Sequence, residues 1–296
     1  MKLQLAAISI ATLGLLGSIP ASALTEHEQE VAAWRAGRIE RLTAPNGWLS
    51  LVGLHWLTSE QPLTLGNGAG NSIDLGVGPE RLGGLSWSHG KASFTATAGA
   101  DASVAGQPVA TIELVDDSAG KPTIVDFGSA NFQLIERGDK FALRVKDAQA
   151  ATRTRFAGIS HYDVDPAWRV DASYETYPVA RKIEVATVSG TLEEYPNPGR
   201  IVFERDGKTH ALEALVEEGT DQFFLIMADR TSGAETYGMA RYLYAGPPKD
   251  GKILLDFNKA YNPPCAFTDF ATCPMPPEGN RLDLYVRAGE KKYATH

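Results

Sequence analysis

The stretch Asn131-Phe132-Gln133-Leu134-Ile135-Glu136-Arg137-Gly138-Asp139-Lys140-Phe141-Ala142-Leu143-Arg144-Val145-Lys146 decides how this chain folds. Phe132 and Leu134 lead in at alternate positions, Gly138-Asp139 offers a turn, and Phe141, Leu143 and Val145 alternate out again. Period-two alternation around a turn dipeptide is the pattern of a β-hairpin with one buried face. Upstream, from about Gln61, short apolar runs alternate with Gly, Asn and Asp, and 92–98 reads as another strand. Helical periodicity is scarce there, so 61–149 reads as an all-β unit of sandwich type. Its Gly-rich stretch, 66–84, lacks the strand-turn-helix context of a phosphate loop and reads as turns.

Downstream, 150–296 reads as a second β-rich unit, barrel- or sandwich-like. Strands are expected at 183–188, at 200–205 and 208–215 around Asp206-Gly207, at 236–244 and at 252–257. The run Phe223-Phe224-Leu225-Ile226-Met227 is continuously apolar, as in a strand buried on both faces. Leu282, Leu284 and Val286 alternate with Asp283, Tyr285 and Arg287 and predict a last strand. Ahead of both units, Val31, Trp34, Arg38 and Leu42 recur at helical spacing and predict one N-terminal helix, broken at Asn46-Gly47. The dense apolar patch 47–57 reads as a buried anchor, so 24–60 forms one helix-and-anchor segment. The fold class is therefore mainly β, in two β-rich units with one N-terminal helix.

The first residues read as a targeting segment. Lys2 is followed by an apolar run over 3–16 and by Ala21-Ser22-Ala23, small residues suited to signal peptidase. The run is shorter than the roughly 20 apolar residues a membrane span requires. Cleavage after 1–23 would leave a periplasmic or secreted chain with no stable membrane span. With 36 Asp and Glu against 28 Lys and Arg, the 296-residue chain is acidic and has no basic stripe, which argues against nucleic acid as a partner. The two cysteines, Cys265 and Cys273, are expected to form a disulfide outside the cytoplasm. The histidines, at 27, 55, 89, 161, 210 and 296, have no zinc-site spacing, and no metal or organic cofactor is expected. A Gly-x-Ser-x-Gly elbow is absent.

The segment Asp256-Phe257-Asn258-Lys259-Ala260-Tyr261-Asn262-Pro263-Pro264-Cys265-Ala266-Phe267, continuing to Thr272-Cys273-Pro274-Met275-Pro276-Pro277, stands apart. Its prolines exclude a helix or a central strand. Long irregular loops tend to be functional or disordered, and the aromatics and paired cysteines argue for order. Asp256, Asn258 and Asn262 then sit on a stiff platform, either to hold a polar ligand or to hydrogen-bond the loop's own backbone.

This segment closely resembles the hallmark of a bacterial and archaeal family known as domain of unknown function 1684. The resemblance continues through Asn280 to Leu282 and Ala288-Gly289-Glu290. Upstream it takes in Gly47 to Leu57, Asp229-Arg230-Thr231-Ser232-Gly233 and Thr236-Tyr237-Gly238 with Arg241. The family's name carries no activity, so the resemblance implies neither a reaction nor a cofactor. The residues themselves supply candidates. Asp229, Asp256 and Glu290 could act as general acid and base if they converge. Arg241, Tyr237, Asn258, Tyr261, Asn262 and Asn280 could bind a ligand. Arg241 would serve either as a carboxylate clamp or as half of a buried ion pair. Arg144, Lys146, Arg153, Arg155 and Arg169 form a locally basic stretch between the units, suited to an anionic small molecule or to a solvated face.

Two function classes stay open. One is a cofactor-independent hydrolase of the cell envelope that uses the second unit's carboxylates. The other is a non-catalytic ligand-binding or assembly protein that uses the inter-unit crevice or the Pro-rich loop.

Overall fold

The computed structural model describes residues 24–58, 61–89 and 91–293; the expected signal segment, 1–23, lies outside the described residues. The chain opens with the helix Glu26–Thr43. Thr25 and Glu28 cap it reciprocally: the Thr25 hydroxyl accepts the Glu28 amide, and the Glu28 carboxylate accepts the Thr25 amide at 2.7 Å. Pro45 disfavours helical geometry at Ala44, which is extended, so the helix stops there. Val31, Arg38 and Leu42 are its buried positions, as the spacing predicts.

The first unit is two sheets around one core. A six-stranded sheet runs in the order Leu51–Trp56, Lys140–Asp147, Ala130–Arg137, Ile124–Phe127, Ser103–Val104, Gln107–Pro108. Facing it is a five-stranded sheet built on Leu63–Gly66, Gly83–Ser88 and Lys91–Ala96. The hairpin forms in the expected register, with Leu134 opposite Leu143 and Arg137 opposite Lys140. Phe132, Leu143 and Val145 pack against Leu65, Leu85 and Phe94 of the other sheet, and the Phe94 and Phe132 rings meet edge-on at 5.3 Å. The patch read as an anchor is an edge strand of this unit, Leu51–Trp56, paired with Lys140–Asp147.

The second unit is one antiparallel sheet curled into a half-barrel. Its order is Arg241–Ala245, Phe223–Met227, Lys208–Val216, Leu192–Arg205, Arg169–Ala186, Lys252–Asp256. Asp206 and Gly207 both have positive φ, 52° and 71°, the geometry that joins two twisted strands tightly. Phe223–Met227 is buried on both faces. Leu225 and Met227 enter the barrel core with Leu212, Leu243, Leu255, Phe257 and Val286. Phe224 and Ile226 point to the outer face with Val185, Leu215, Tyr242, Cys273 and, from the first unit, Leu51.

Two expected strands differ. The strand expected over 236–244 begins only at Arg241. Ahead of it, Thr236 folds back on Thr231 through a backbone hydrogen bond of 3.1 Å and a hydroxyl contact of 2.8 Å, with Gly233 at φ 85°. The segment 282–286 keeps its alternation: Leu282, Leu284 and Val286 are buried. It forms no ladder, because its hydrogen bonds go to a loop and a side chain. Arg230 N donates to the Leu284 carbonyl, and the Arg241 guanidinium donates to the carbonyls of Val286 and Ala288.

Candidate functional site

Between the outer face of the C-terminal sheet and the first unit's hairpin lies an open cleft of about 2190 Å³, flanked by the N-terminal helix. A site for one small ligand occupies roughly 300–1,000 Å³, so a ligand would fill only part of it.

The floor is aromatic because of strand register. Phe224 and Tyr244 are paired residues on neighbouring strands, and Tyr242 shares the face of Tyr244 two residues on. The Phe224 and Tyr244 rings stack at 5.2 Å and 24°, while Tyr242 meets Phe224 edge-on at 4.8 Å. Tyr261 comes from the Pro-rich loop. Its backbone exchanges two hydrogen bonds with Tyr242, at 2.8 and 2.9 Å. That pairing lays its ring 6.4 Å from Tyr244, nearly parallel at 15°. The Arg38 guanidinium covers Tyr261 at 4.5 Å, and Tyr195 lies 6.2 Å from Phe224. Two carboxylates border this floor. Glu217 accepts the Tyr244 hydroxyl, and burial raises its carboxyl above the usual range. Glu193 accepts the Tyr195 hydroxyl at 2.8 Å and pairs with Arg137 at 3.5 Å. The opposite wall belongs to the first unit: Trp48, Asn46, Asp117, Arg137 and Lys146.

The residues singled out in the sequence fall into separate places. Asp229 and Arg241 form a buried ion pair at 2.6 Å, and Asp229 also accepts the Thr231 amide and hydroxyl. Glu290 is fully buried, and burial raises its carboxyl, with Arg38 opposing the rise. It pairs with Arg38 at 3.1 Å and accepts the Asn262 amide at 2.7 Å. Asn262 in turn donates to the Lys291 carbonyl. Asp256 meets His27 of the helix at 2.9 Å and caps the turn Phe257–Lys259 through the Asn258 amide. Asn258 clamps both backbone groups of Asp165, and Asn280 clamps both of Glu213. The Tyr237 hydroxyl donates to the Cys265 carbonyl at 3.0 Å. Of the set, Tyr261 and Asp256 line the cleft. Glu290, Asn262, Tyr261 and Arg38 do come together, around the root of the loop.

The expected disulfide is corrected: Cys265 and Cys273 are free thiols. They lie side by side, and the Cys273 sulfur accepts the Cys265 amide at 3.2 Å. The loop is pinned instead by its asparagines and by backbone bonds to the long strand, Val188 N to Cys273 O and Met275 N to Ala186 O. The basic stretch also divides. Arg153 donates to the Thr43 and Ala148 carbonyls, Arg169 pairs with Glu30 at 3.3 Å, Lys146 lines the cleft, and Arg144 is buried next to it beside the Trp48 ring. Among the described residues, no group of three or more His, Cys, Asp or Glu side chains is placed to hold a metal ion.

Sequence reasoning missed Tyr195, Glu193, Glu217 and Tyr244 as cleft residues. The one available signal was alternation: Tyr242 and Tyr244 share a face of a strand next to an aromatic one.

Residues 154–291 match the model of a family described as protein of unknown function, DUF1684. Among solved structures, the solution NMR structure of an uncharacterized protein from Haloarcula marismortui is 33% identical. That match covers 49% of this chain and 81% of the other, with a TM-score of 0.42. No curated protein matches. The family match takes in the Asp229–Arg241 pair, the cleft floor and the whole Pro-rich motif. Over residues 154–291, the chain belongs to this family of unknown function.

Proposed function

We propose that this chain is a ligand-binding protein whose small-molecule site is the inter-unit cleft, with the ligand seated on the tyrosine floor. The observation that carries this reading is the cluster of Phe224, Tyr242, Tyr244 and Tyr261 rings that lines the open cleft, with Tyr244 and Tyr261 partly exposed over the buried Phe224 and Tyr242. Aromatic walls with a few fixed polar groups are the usual make-up of small-ligand sites. The Pro-rich loop is pinned by hydrogen bonds at Asn258, Asn262 and Asn280, so it presents Tyr261 at little ordering cost.

Binding is favoured over hydrolysis by what surrounds the three expected acids. Asp229 and Glu290 are enclosed by arginines, and Asp256 is engaged by His27 and Lys259. A general acid or base must reach the proton it moves, and Asp229 and Glu290 do not line the cleft. On this reading the protein acts outside the cytoplasm after loss of 1–23, which N-terminal sequencing of the native protein would check. The binding test is a ligand screen by native mass spectrometry on the chain from Leu24 onward, followed by titration of any hit. Trp34 and Trp48 line the cleft and report binding by fluorescence. Tyr244→Ala should weaken a hit by roughly tenfold, the scale of one lost aromatic stack. A hit that binds Tyr244→Ala as tightly as wild type would remove the reading.

A further inference from the structure

Two cations stand together on one face of the first unit's sheet without an ion-pair partner, although Asp117 and Glu193, both paired with Arg137, lie close enough to act on Arg144. Arg144 and Lys146 lie two apart on the strand Lys140–Asp147, so both side chains project from the same face. Arg144 is only 5% exposed. Its Nη2 donates to the Thr272 hydroxyl at 3.2 Å, while its Nε has no hydrogen-bond partner. Lys146 donates to the Asn46 carbonyl at 2.7 Å. Among the described residues, neither makes an ion pair. The neighbouring Arg137 is already matched, by Asp117 at 2.8 Å and Glu193 at 3.5 Å. Trp48 lies across both cations, 5.4 Å from the Arg144 guanidinium and 5.9 Å from the Lys146 ammonium, and it is 38% exposed at the cleft.

A buried charge without a partner is costly. The cost is visible in the protonation of both groups. Burial, and then the proximity of Arg137, lowers Arg144 to about 10; burial, and then Arg144, lowers Lys146 to about 8. Folded proteins ordinarily pair such groups or place them where a ligand completes them.

We infer that Arg144 and Lys146 form an oxyanion subsite of the cleft, with Lys146 at its mouth, Arg144 behind and Trp48 as its side wall. The subsite takes the carboxylate or phosphate of a small molecule whose ring rests on the tyrosine floor. The inference rests on the cleft reading above, and it narrows the ligand to a molecule with a flat apolar part and one anionic end. Arg144 supplies donors in a planar fork that suits either oxyanion, and Lys146 supplies a point charge. The subsite also accounts for two cations retained where apolar residues would pack at lower cost.

The test uses the chain from Leu24 onward, with phenyl phosphate, benzoate and inorganic phosphate as probes, titrated by calorimetry and followed by tryptophan fluorescence. Phenyl phosphate or benzoate should bind wild type, and Arg144→Met and Lys146→Met should each weaken that probe roughly thirtyfold or more. Melting curves separate this from misfolding: removing an unpaired buried cation should leave the melting temperature unchanged or raise it. If no probe binds wild type, or if both variants bind as wild type does, the subsite is overturned. A melting temperature that falls sharply in Arg144→Met, with Lys146→Met binding normally, would make Arg144 a packing residue and also overturn it. Tyr244→Ala tells the two readings apart. Loss of probe binding in the cation variants, with Tyr244→Ala unaffected, keeps the subsite and removes the tyrosine floor.

Discussion

Replacing Arg241 with methionine should destabilise the fold without touching the cleft, and the size of the effect follows from what the guanidinium holds. Its Nη atoms bond the Asp229 carboxylate at 2.6 Å and the carbonyls of Val286 and Ala288 at 2.8 and 2.5 Å. The residue is 1% exposed. Removing one partner of a buried ion pair costs about 3–5 kcal/mol, mostly through the charge left behind. Asp229 would keep the Thr231 amide at 2.8 Å, the Thr231 hydroxyl at 2.6 Å and the Val286 amide at 3.3 Å. Methionine would also refill apolar volume. The expected loss is therefore near the low end, about 3–4 kcal/mol. At roughly 2–4 °C per kcal/mol for a chain of this size, the melting temperature should fall by about 6–16 °C. The double variant Asp229→Leu/Arg241→Met removes the stranded charge and should recover part of the loss, which a double-mutant cycle measures. Differential scanning calorimetry gives the melting temperature, and probe titration gives binding. A melting temperature within about 2 °C of wild type, together with lost binding, would refute the argument and make the pair a ligand clamp.

Three other outcomes follow from local geometry. Gly289→Ala should cost about 2 kcal/mol or more in denaturant titrations, since φ is 81° and a Cβ would lie 2.3 Å from the Ala260 carbonyl oxygen; an unchanged midpoint would refute it. A thiol-alkylating reagent should label Cys265 before Cys273 in native protein, because the neighbouring thiol lowers Cys265 while burial raises Cys273. Equal labelling rates by mass spectrometry would count against that order. Lys146 releases its proton near pH 8 in the folded state, below the ordinary lysine value. Between about pH 8 and 10.5 the unfolded chain therefore holds a proton that the folded chain lacks, so stability rises with pH there. Relative to Lys146→Met, wild type should gain stability between pH 7.5 and 9.5, and a constant difference would refute the shift.

Much of the fold was legible because β periodicity is local. The alternation of 131–146 gave the hairpin and its register, and the unbroken run 223–227 gave a strand buried on both sides. Helical spacing of Val31, Arg38 and Leu42 gave the helix and its buried face. What failed was the inference from burial to hydrogen bonding. Leu282, Leu284 and Val286 are buried in alternation, yet their neighbours in space are a loop and the Arg241 side chain. Alternation reports which side chains are inside. It does not report which donors meet the carbonyls.

The site was less legible, for a reason of the same kind. The crowd of Asp, Asn and Glu around the Pro-rich loop is conspicuous in the sequence, and polar groups among apolar ones must find partners. Here the partners are mostly the protein's own: Asn258 holds Asp165, Asn280 holds Glu213, and Glu290 holds Arg38 and Asn262. Satisfied polar groups fix a shape but leave little capacity for a ligand. The groups with capacity to spare are less conspicuous. Arg144 and Lys146 sit in an ordinary alternating strand, and Tyr244 and Glu217 sit at strand ends. They become a candidate site only because the two units fold so that Trp48, Lys146, Tyr244 and Tyr261 border one cleft. The conspicuous residues and the available ones are thus different sets, linked by Arg38, which pairs with Glu290 below the loop and covers the Tyr261 ring above it. Through that one side chain the loop's internal network sets the position of the cleft floor.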